Sequence, residues 1–463
     1  MNQVAAIILA AGKGTRMKSA VSKMLHPLLG LPLLSYPLQV LGRLEIDRQV
    51  VVIGSSGQEV MDVFSDWSGI SFAWQREQKG TADAAAMALT EFEGFSGNIL
   101  IVCGDVPLLR AETLRELLHR HRQAQAAVSV LSAVLPDGGA YGRLVLDSAG
   151  ELIRIVEARD ALPAELEVCR INSGIYCVDA DFLRQALAGI DCENAQGEYY
   201  LTDMVAEASQ LGKKVIFSDV SDLDEIMGIN DREQLSNAEM ILAARIRQQW
   251  QTAGVTIRFP QQVTIETEVM IGQDTTIEKG VSLKGKTVVG VGCYIGEGSI
   301  LQDVHLGERV KILPYSVLEK AVVEDDVQVG PFARLRPGTV LREKAKIGNF
   351  VEVKKAEIGI GSKASHLSYI GDASVGNGVN IGAGTITCNY DGFKKHRTII
   401  EDGVFVGSDS QFVAPVRIGK NALVGAGSTV TKNVPENAVV ISRTQQTIYP
   451  DRGMVSRNVT REE

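Results

Sequence analysis

Two stretches of this chain carry side chains in arrangements that chemistry uses and packing does not require. In Leu9-Ala-Ala-Gly-Lys-Gly-Thr-Arg-Met17, the glycines at 12 and 14 let the backbone approach a polyphosphate and present N–H groups to it. Lys13, Arg16 and the nearby Lys23 offset the charge of such a ligand. The string lacks the third glycine and acidic ribose ligand of a dinucleotide fingerprint, and the Gly-Lys-Ser/Thr of a Walker loop. A glycine-rich turn without a ligand is the plainer reading; the flanking Thr-Arg-Met and Lys23 weigh against it. Farther on, Cys103-Gly-Asp-Val-Pro107 ends an apolar run with Asp105, either a hard oxygen ligand suited to Mg2+ or a helix cap.

The second stretch is Ser362-Lys-Ala-Ser-His-Leu-Ser-Tyr-Ile-Gly371. His26, His119, His121 and His305 are expected on the surface or satisfied in a core, whereas His366 stands in a repeat whose packing does not call for it. A neutral imidazole can take a proton from an amine as that amine attacks a thioester, because its pKa lies near working pH. Arg336 and Lys354 are 18 residues apart, one coil of the repeat described below. Two cations so stacked suit a phosphate, and a charge ladder on a solvated face has the same pattern.

Positioning these groups falls to two halves with different periods. Up to about residue 230, β-rich runs at 4–9, 49–53, 98–102 and 127–131 alternate with helical patterns. This predicts βαβ units, a largely parallel sheet and ligands beyond the strands' carboxyl ends. One linking helix is predicted over 231–254, with Leu235, Met240, Ile241, Ala244 and Ile246 as its apolar stripe. Beyond it, Ile265, Ile271, Ile277, Leu283, Val289, Ile295 and Leu301 recur every six positions, as do further runs from Val323 and from Ile400. That period predicts a β-solenoid in which each face of a coil is one hexapeptide. The small residue beside each inward aliphatic one, most often Gly, is expected to let the chain turn at a corner. Cys388-Asn-Tyr-Asp-Gly-Phe-Lys-Lys-His-Arg-Thr398 breaks the period and is expected to loop out.

Composition agrees with this division. The 463 residues are 45% hydrophobic and 22% charged, which excludes a disordered chain and predicts two or three domains. There are 46 glycines and only 5% aromatic residues, as a narrow stacked interior requires. The net charge of −9, without long Lys or Arg runs, argues against nucleic acid or an anionic membrane as partner. The six cysteines lack C-x-x-C spacing and read as buried thiols of a reducing cytosol. No apolar stretch approaches the ~20 residues of a membrane helix, and residues 4–11 lack the basic flank of a signal peptide. A soluble, cytoplasmic protein is expected.

The front half resembles the sugar-1-phosphate nucleotidyltransferases, in which a sugar phosphate oxygen attacks the α-phosphate of a nucleoside triphosphate and pyrophosphate leaves. The resemblance implies that Leu9, Ala10, Gly12, Gly14 and Lys23 hold UTP, with Gln75, Gly80 and Thr81 of Gln75-Arg-Glu-Gln-Lys-Gly-Thr-Ala82 reading the uracil edge. It implies Mg2+ on Asp105 and Asn230, the sugar phosphate among Gly142, Glu157, Asn172 and Asn230, and catalytic charge from Arg16 and Lys23. Residues 262–443 resemble the left-handed parallel β-helices of the hexapeptide family, most of whose catalytic members are trimeric acyltransferases.

Read together, residues 4–443, notably Asn380-Ile-Gly-Ala-Gly-Thr-Ile-Thr-Cys-Asn-Tyr-Asp-Gly392, resemble the bacterial bifunctional N-acetylglucosamine-1-phosphate uridyltransferases and glucosamine-1-phosphate acetyltransferases. These supply UDP-N-acetylglucosamine for peptidoglycan and lipopolysaccharide. The likeness implies His366 as general base, Asn389 at the oxyanion, and Arg336, Lys354, Tyr369, Asn380 and Lys395 on glucosamine 1-phosphate. It implies acetyl-CoA against Ala383, Asn389, Tyr390, Ser408, Ala426 and Arg443, and a homotrimer formed through the β-helix. The domains implied are an α/β, Rossmann-like uridyltransferase at 1–230, a linker helix at 231–254, an acetyltransferase β-helix at 255–443 and a mobile tail at 444–463. Ser22, Cys103 and Asp83 depart from residues common in relatives (Pro, an aromatic and His) and are expected to tune nucleotide affinity. Two other readings are a single-activity pyrophosphorylase with a regulatory β-helix and a non-catalytic assembly protein. The first predicts no His366, Lys354, Asn389 and Tyr390 cluster; the second predicts loss of Arg16, Lys23 and Asp105.

Overall fold

The apolar run near the start of the chain forms the strand Val4–Ala10, buried on both faces as in a sheet covered on each side. Ala5 and Ile7 face one apolar core; Val4, Ala6 and Ile8 face the other. The computed structural model describes residues 3–46, 48–450 and 453, and the chain divides into two units, Met1–Leu242 and Ala243–Glu463. From one edge, the main sheet of the first unit runs Val215–Asp219, Val128–Val134, Arg170–Asp179, Asn98–Cys103, Val4–Ala10, Arg48–Ile53 and Ile70–Trp74. It is mixed: Arg170–Asp179 is antiparallel to both of its neighbours in that order, and the other pairs are parallel. Leu9 pairs with Cys103, so the loops leaving these two parallel strands emerge side by side.

The helix Arg232–Thr252 buries only part of the expected stripe, with Ile246 buried and Leu235 and Ile241 packed. Met240 and Ala244 are exposed, while Leu235, Ala238, Ile241 and Leu242 pack with Leu28, Leu33 and Tyr36 in the first unit. Ala238 completes the helical period and was passed over because it is small.

In the second unit, short strands stack into three parallel sheets of eleven, ten and nine strands, one sheet per face of a β-helix. Ile265, Leu283, Leu301, Leu318, Leu335, Val353 and Ile370 form one inward column. Thr264 pairs with Ser282 but Ile300 pairs with Val317, so a coil takes 18 or 17 residues, and the shorter coils produce the break in the spacing of six. The segment after Cys388 leaves the coil: Tyr390 bridges Lys395, and Phe393 is 93% exposed.

Of the glycines that follow an inward aliphatic residue, Gly330 has the left-handed backbone expected of a turn (φ +99°), but most others do not. Gly348 is not left-handed, yet a Cβ there would lie 1.9 Å from the Ser365 carbonyl oxygen of the next coil. The glycine is there because successive coils come too close for a side chain. Left-handed corners come later in each coil, and Asp303, Tyr315, Phe332 and Phe350 occupy several of them. Phe412 is the one aromatic ring in the described β-helix core, whereas Tyr315, Phe332 and Phe350 stack outside it, with centroids 5.4 and 5.3 Å apart. All six cysteines are free, and Cys169 and Cys192 are exposed rather than buried. Residues 444–450 are exposed without helix or strand; the rest of the expected tail, apart from residue 453, lies outside the described residues.

Gly361 provides a contrast, with φ +66° and open space around its absent Cβ. Gly361→Ala should cost about 1 kcal/mol in stability for its left-handed backbone. Gly348→Ala should cost about 3 kcal/mol or prevent coil closure. Denaturant unfolding followed by circular dichroism measures both, and equal losses would show that coil spacing is not limiting.

Candidate active sites

Beyond the carboxyl ends of Val4–Ala10 and Asn98–Cys103 lies a cavity of about 480 Å³ lined by Leu9, Gly12, Lys13, Lys23, Gln75, Gly80, Thr81 and Asp105. Gln78 and Glu198 also line it, and the sequence reading gave them no role. Gly14 is left-handed, and a Cβ on it would lie 2.9 Å from Lys23 Cβ, so the loop closes on the lysine stem. Lys23 is buried, and its ammonium donates to Asp105 Oδ2 at 2.5 Å and to Asn230 Oδ1 at 3.2 Å. Ala10 turns its side chain into the core, leaving only its backbone for a ligand. Arg16 is exposed at the rim of the loop.

The Lys23 ammonium shows that a cation fits between the Asp105 and Asn230 oxygens. One carboxylate and one amide oxygen are a donor set that Mg2+ accepts when phosphate oxygens and water complete its shell. Among the described residues no group of three or more His, Cys, Asp or Glu could hold a metal; Asp105 and Asn230 offer two donors, and phosphate and water would supply the remaining positions of a metal there.

Gln75 is buried, and its Nε2 donates to the Gly80 carbonyl at 2.9 Å and to Asp83 Oδ2 at 2.8 Å. Gly80 has no substitute here, since a Cβ would lie 2.3 Å from the Tyr199 carbonyl oxygen. Gly80 and Thr81 open the helix Thr81–Leu89, whose first N–H groups have no intrahelical acceptor. The Cys103 thiol is pushed up to about 12 by burial and then by the charge of Asp105, so it stays protonated.

Glu157, Gly142 and Asn172 form a second group. Burial raises the Glu157 pKa, and Thr202 Oγ1 donates to its carboxylate at 3.3 Å. The Asn172 N–H donates to the Gly142 carbonyl at 2.9 Å. The Asn172 side chain is committed to the protein, with Nδ2 on the Tyr176 hydroxyl at 2.7 Å and Oδ1 on the Gly174 N–H at 3.0 Å. Tyr141 links this group to the first: burial raises its pKa, the Asp105 charge adds to that, and it bonds the Gly228 backbone.

A cavity of about 510 Å³ lined by Asn98, His121, Asp179 and Lys214 lies at the opposite ends of these strands, away from where such sheets bind ligands. His121 Nδ1 meets Ser129 Oγ at 2.7 Å, and burial lowers its pKa to about 4. His121 and His26 are buried but each leaves Nε2 without a partner, so neither is fully satisfied as expected.

In the β-helix, register assembles the chemistry. Asn349 pairs with His366, and Asn380, Phe405 and Leu423 continue that sheet. Ala383, Ser408 and Ala426, each three residues beyond one of these, fall on the same corner as His366. Arg443 Nη1 donates to the Ala426 carbonyl. His366 is exposed, with Nδ1 2.8 Å from Asn349 Oδ1. A carbonyl oxygen there places the proton on Nδ1 and leaves the Nε2 lone pair as base. Asn349 was missed because it stands one coil before His366 and carries no motif.

Arg336 and Lys354 lie on successive coils, as their spacing predicts. Arg336 Nη1 is 2.8 Å from Glu352 Oε1. Lys354 Nζ is 3.6 Å from Asp372 Oδ2, which also accepts from Asn389 Nδ2. Asp372, a second residue the sequence reading missed, anchors both. Contact with Lys354 holds the Lys395 ammonium below the usual lysine range. Two ammonium groups in contact beside one carboxylate suit a phosphate. Tyr369 stands on the face between this cluster and His366, Asn380 stands on the adjoining face, and the exposed Tyr390 donates to the Gly392 carbonyl at 2.6 Å. No hydrogen bond among the described residues joins His366 to the Lys354 cluster.

Three family descriptions match the chain: MobA-like NTP transferase domain at residues 6–164, GMPPB C-terminal domain at 265–366, and bacterial transferase hexapeptide (six repeats) at 397–432. The chain is 50% identical over 446 residues to the bifunctional protein GlmU of Geotalea uraniireducens, covering 96% of this chain and 98% of that protein. It is 51% identical over 446 residues to that of Pelobacter propionicus, covering 96% and 97%. It is 47% identical over 446 residues to that of Brevibacillus brevis, covering 96% of each.

Removing the like charge beside Lys395 should restore its titration. In Lys354→Met, the Lys395 pKa should rise toward the ordinary lysine value, read by NMR of labelled lysine side chains. An unchanged Lys395 would mean that the two ammonium groups do not meet.

Proposed function

The chain belongs to the family of bifunctional GlmU proteins, and from that premise we propose roles for the side chains of its two active sites. It is a bifunctional enzyme of UDP-N-acetylglucosamine synthesis. One activity transfers an acetyl group from acetyl-CoA to the amine of glucosamine 1-phosphate; the other transfers a uridyl group from UTP to N-acetylglucosamine 1-phosphate and releases pyrophosphate. The observation that carries the assignment of residues is the convergence of Lys23, Asp105 and Asn230 at one point and of Lys354, Asp372, Asn389 and Lys395 at another. A merely regulatory β-helix has no use for the second cluster.

In uridyl transfer, the loop at Leu9, Ala10, Gly12 and Gly14 holds the triphosphate, while Gln75, Gly80 and Thr81 meet the base. Gly142, Glu157, Asn172 and Asn230 surround the sugar phosphate, whose oxygen attacks the α-phosphorus as the bond to pyrophosphate breaks. Lys23 and Arg16 offset the charge that builds on the transferred phosphate and leaving group, so catalysis comes from position and electrostatics. Asp105 and Asn230 would hold Mg2+, which supplies Lewis-acid stabilisation of phosphate oxygens when bound.

In acetyl transfer, Arg336, Lys354, Tyr369, Asn380 and Lys395 hold the sugar phosphate. The amine nitrogen bonds to the thioester carbon, His366 Nε2 takes the amine's proton, and collapse expels the CoA thiolate, which is then protonated. Asp372 orients the Asn389 amide, whose second N–H is available to the oxyanion. Acetyl-CoA lies along the Ala383, Ser408 and Ala426 corner, with Asn389, Tyr390 and Arg443 beside it.

The enzyme acts as a homotrimer joined through the β-helix. Supporting this is the exposed ladder of Tyr315, Phe332, Phe350 and Leu367, apolar surface that a soluble monomer seldom leaves bare. We assign the enzyme to the cytoplasm, where its substrates are made; no described helix is long and apolar enough to cross a membrane.

With glucosamine 1-phosphate, acetyl-CoA, UTP and Mg2+, the enzyme should release both free thiol and pyrophosphate. His366→Ala should lose thiol release by about 100-fold or more yet still make UDP-N-acetylglucosamine from the acetylated sugar. Asp105→Ala should do the reverse, and joint loss in either variant would argue against two separate sites. Phe350→Glu should yield smaller particles in sedimentation and lose acetyl transfer first; an unchanged mass would remove the ladder from the subunit contact.

A further inference from the structure

The side chain assigned to the base is itself held by Asp83, one of the departures expected to tune nucleotide affinity. The Gln75 amide gives one hydrogen to the Gly80 carbonyl and the other to the Asp83 carboxylate. Both partners only accept, so the amide cannot turn over; reversed, its oxygen would face two other oxygens. No protein donor reaches Gln75 Oε1 among the described residues, and that oxygen is not sealed in the core: Gln75 lines the nucleotide cavity. The side chain therefore meets a base only as an acceptor. Uracil offers an N3–H at its Watson–Crick edge, whereas cytosine offers a lone pair at the same atom. An N–H of Gly80 or Thr81 facing the base would sharpen the choice, since it suits the uracil O4 and opposes the cytosine amino group.

We propose that Asp83 is a positioning residue for base selection: its carboxylate locks the Gln75 amide with the oxygen toward the nucleotide, so that the site takes UTP and rejects CTP. The proposal rests on the reading of Gln75 as the base-contacting side chain. Asp83 itself is half-buried in the first turn of Thr81–Leu89 and acts through Gln75. Gly80 supplies only one of the two acceptors, and a hydrogen bond to a charged carboxylate is the stronger of the pair.

The test uses the full-length enzyme and compares kcat/KM for UTP and CTP in Asp83→Asn, Asp83→Ala and Gln75→Ala. Asparagine at 83 can donate to a reversed amide, and alanine removes the acceptor while favouring the helix. Both Asp83 variants should lower the UTP to CTP ratio by about tenfold, chiefly through KM for UTP, with Asn the more permissive. Acetyl transfer should be unchanged in both, as a measure of folding. An unchanged ratio in both Asp83 variants, with a lowered ratio in Gln75→Ala, overturns the role of Asp83 and leaves the base reading intact. An unchanged ratio in Gln75→Ala overturns the base reading itself. A ratio that falls in the Asp83 variants but not in Gln75→Ala also overturns the proposal, because the effect would not pass through Gln75.

Discussion

Parallel strand pairing in a set register is the constraint on which both active sites depend. Neighbouring strands lie about 4.8 Å apart, so one register decides which distant residues become neighbours. In the first unit the pairing of Leu9 with Cys103 brings the glycine loop beside Asp105. In the second, the pairing of Asn349 with His366 sets the imidazole on its partner, and the same column carries the small residues proposed to meet acetyl-CoA. The spacing that permits this also forbids side chains where coils touch, which is why glycine is required at Gly348 although its backbone conformation is ordinary.

Electrostatics then divides the work. The chain is acidic overall, at −9, yet each site gathers cations. Lys23 is shared by two oxygens, and Lys354 and Lys395 press together beside a single carboxylate. Each arrangement has room for negative charge that a phosphate-bearing substrate would bring. Residues that only accept, Asp83 and Asp372, each fix one hydrogen of an amide, on Gln75 and Asn389, and so set how the rest of that amide is turned. They make an oriented site from side chains that alone would turn freely.

Much of the fold was legible because its periods are local. Inward aliphatic residues recur because each hexapeptide is a face, and shorter coils appear in the sequence as a phase break. The same logic misjudged the linking helix, where the small Ala238 is buried and the larger Met240 is not. It also assigned turns to glycines whose constraint is the approach of another coil. Gly-rich loops and isolated ionisable residues drew attention to Lys23, Asp105, His366 and Lys354. Asn349 and Asp372 did not stand out, since an amide or carboxylate on a regular element is ordinary until its partner is known, and Asp83 was marked only as a departure, without its link to Gln75.

The amino-acid sequence by itself determined the two architectures and the order of the units, and it pointed to side chains whose chemistry suits phosphate or proton transfer. These follow from periodicity and residue chemistry, which need no knowledge of distant contacts. Only the tertiary structure decided the antiparallel course of Arg170–Asp179, the meeting of Lys23 with Asn230, the His366 tautomer and the direction of the Gln75 amide. Each depends on a hydrogen bond between atoms on different elements, and the orientation of an amide or imidazole is set by the partner that faces it.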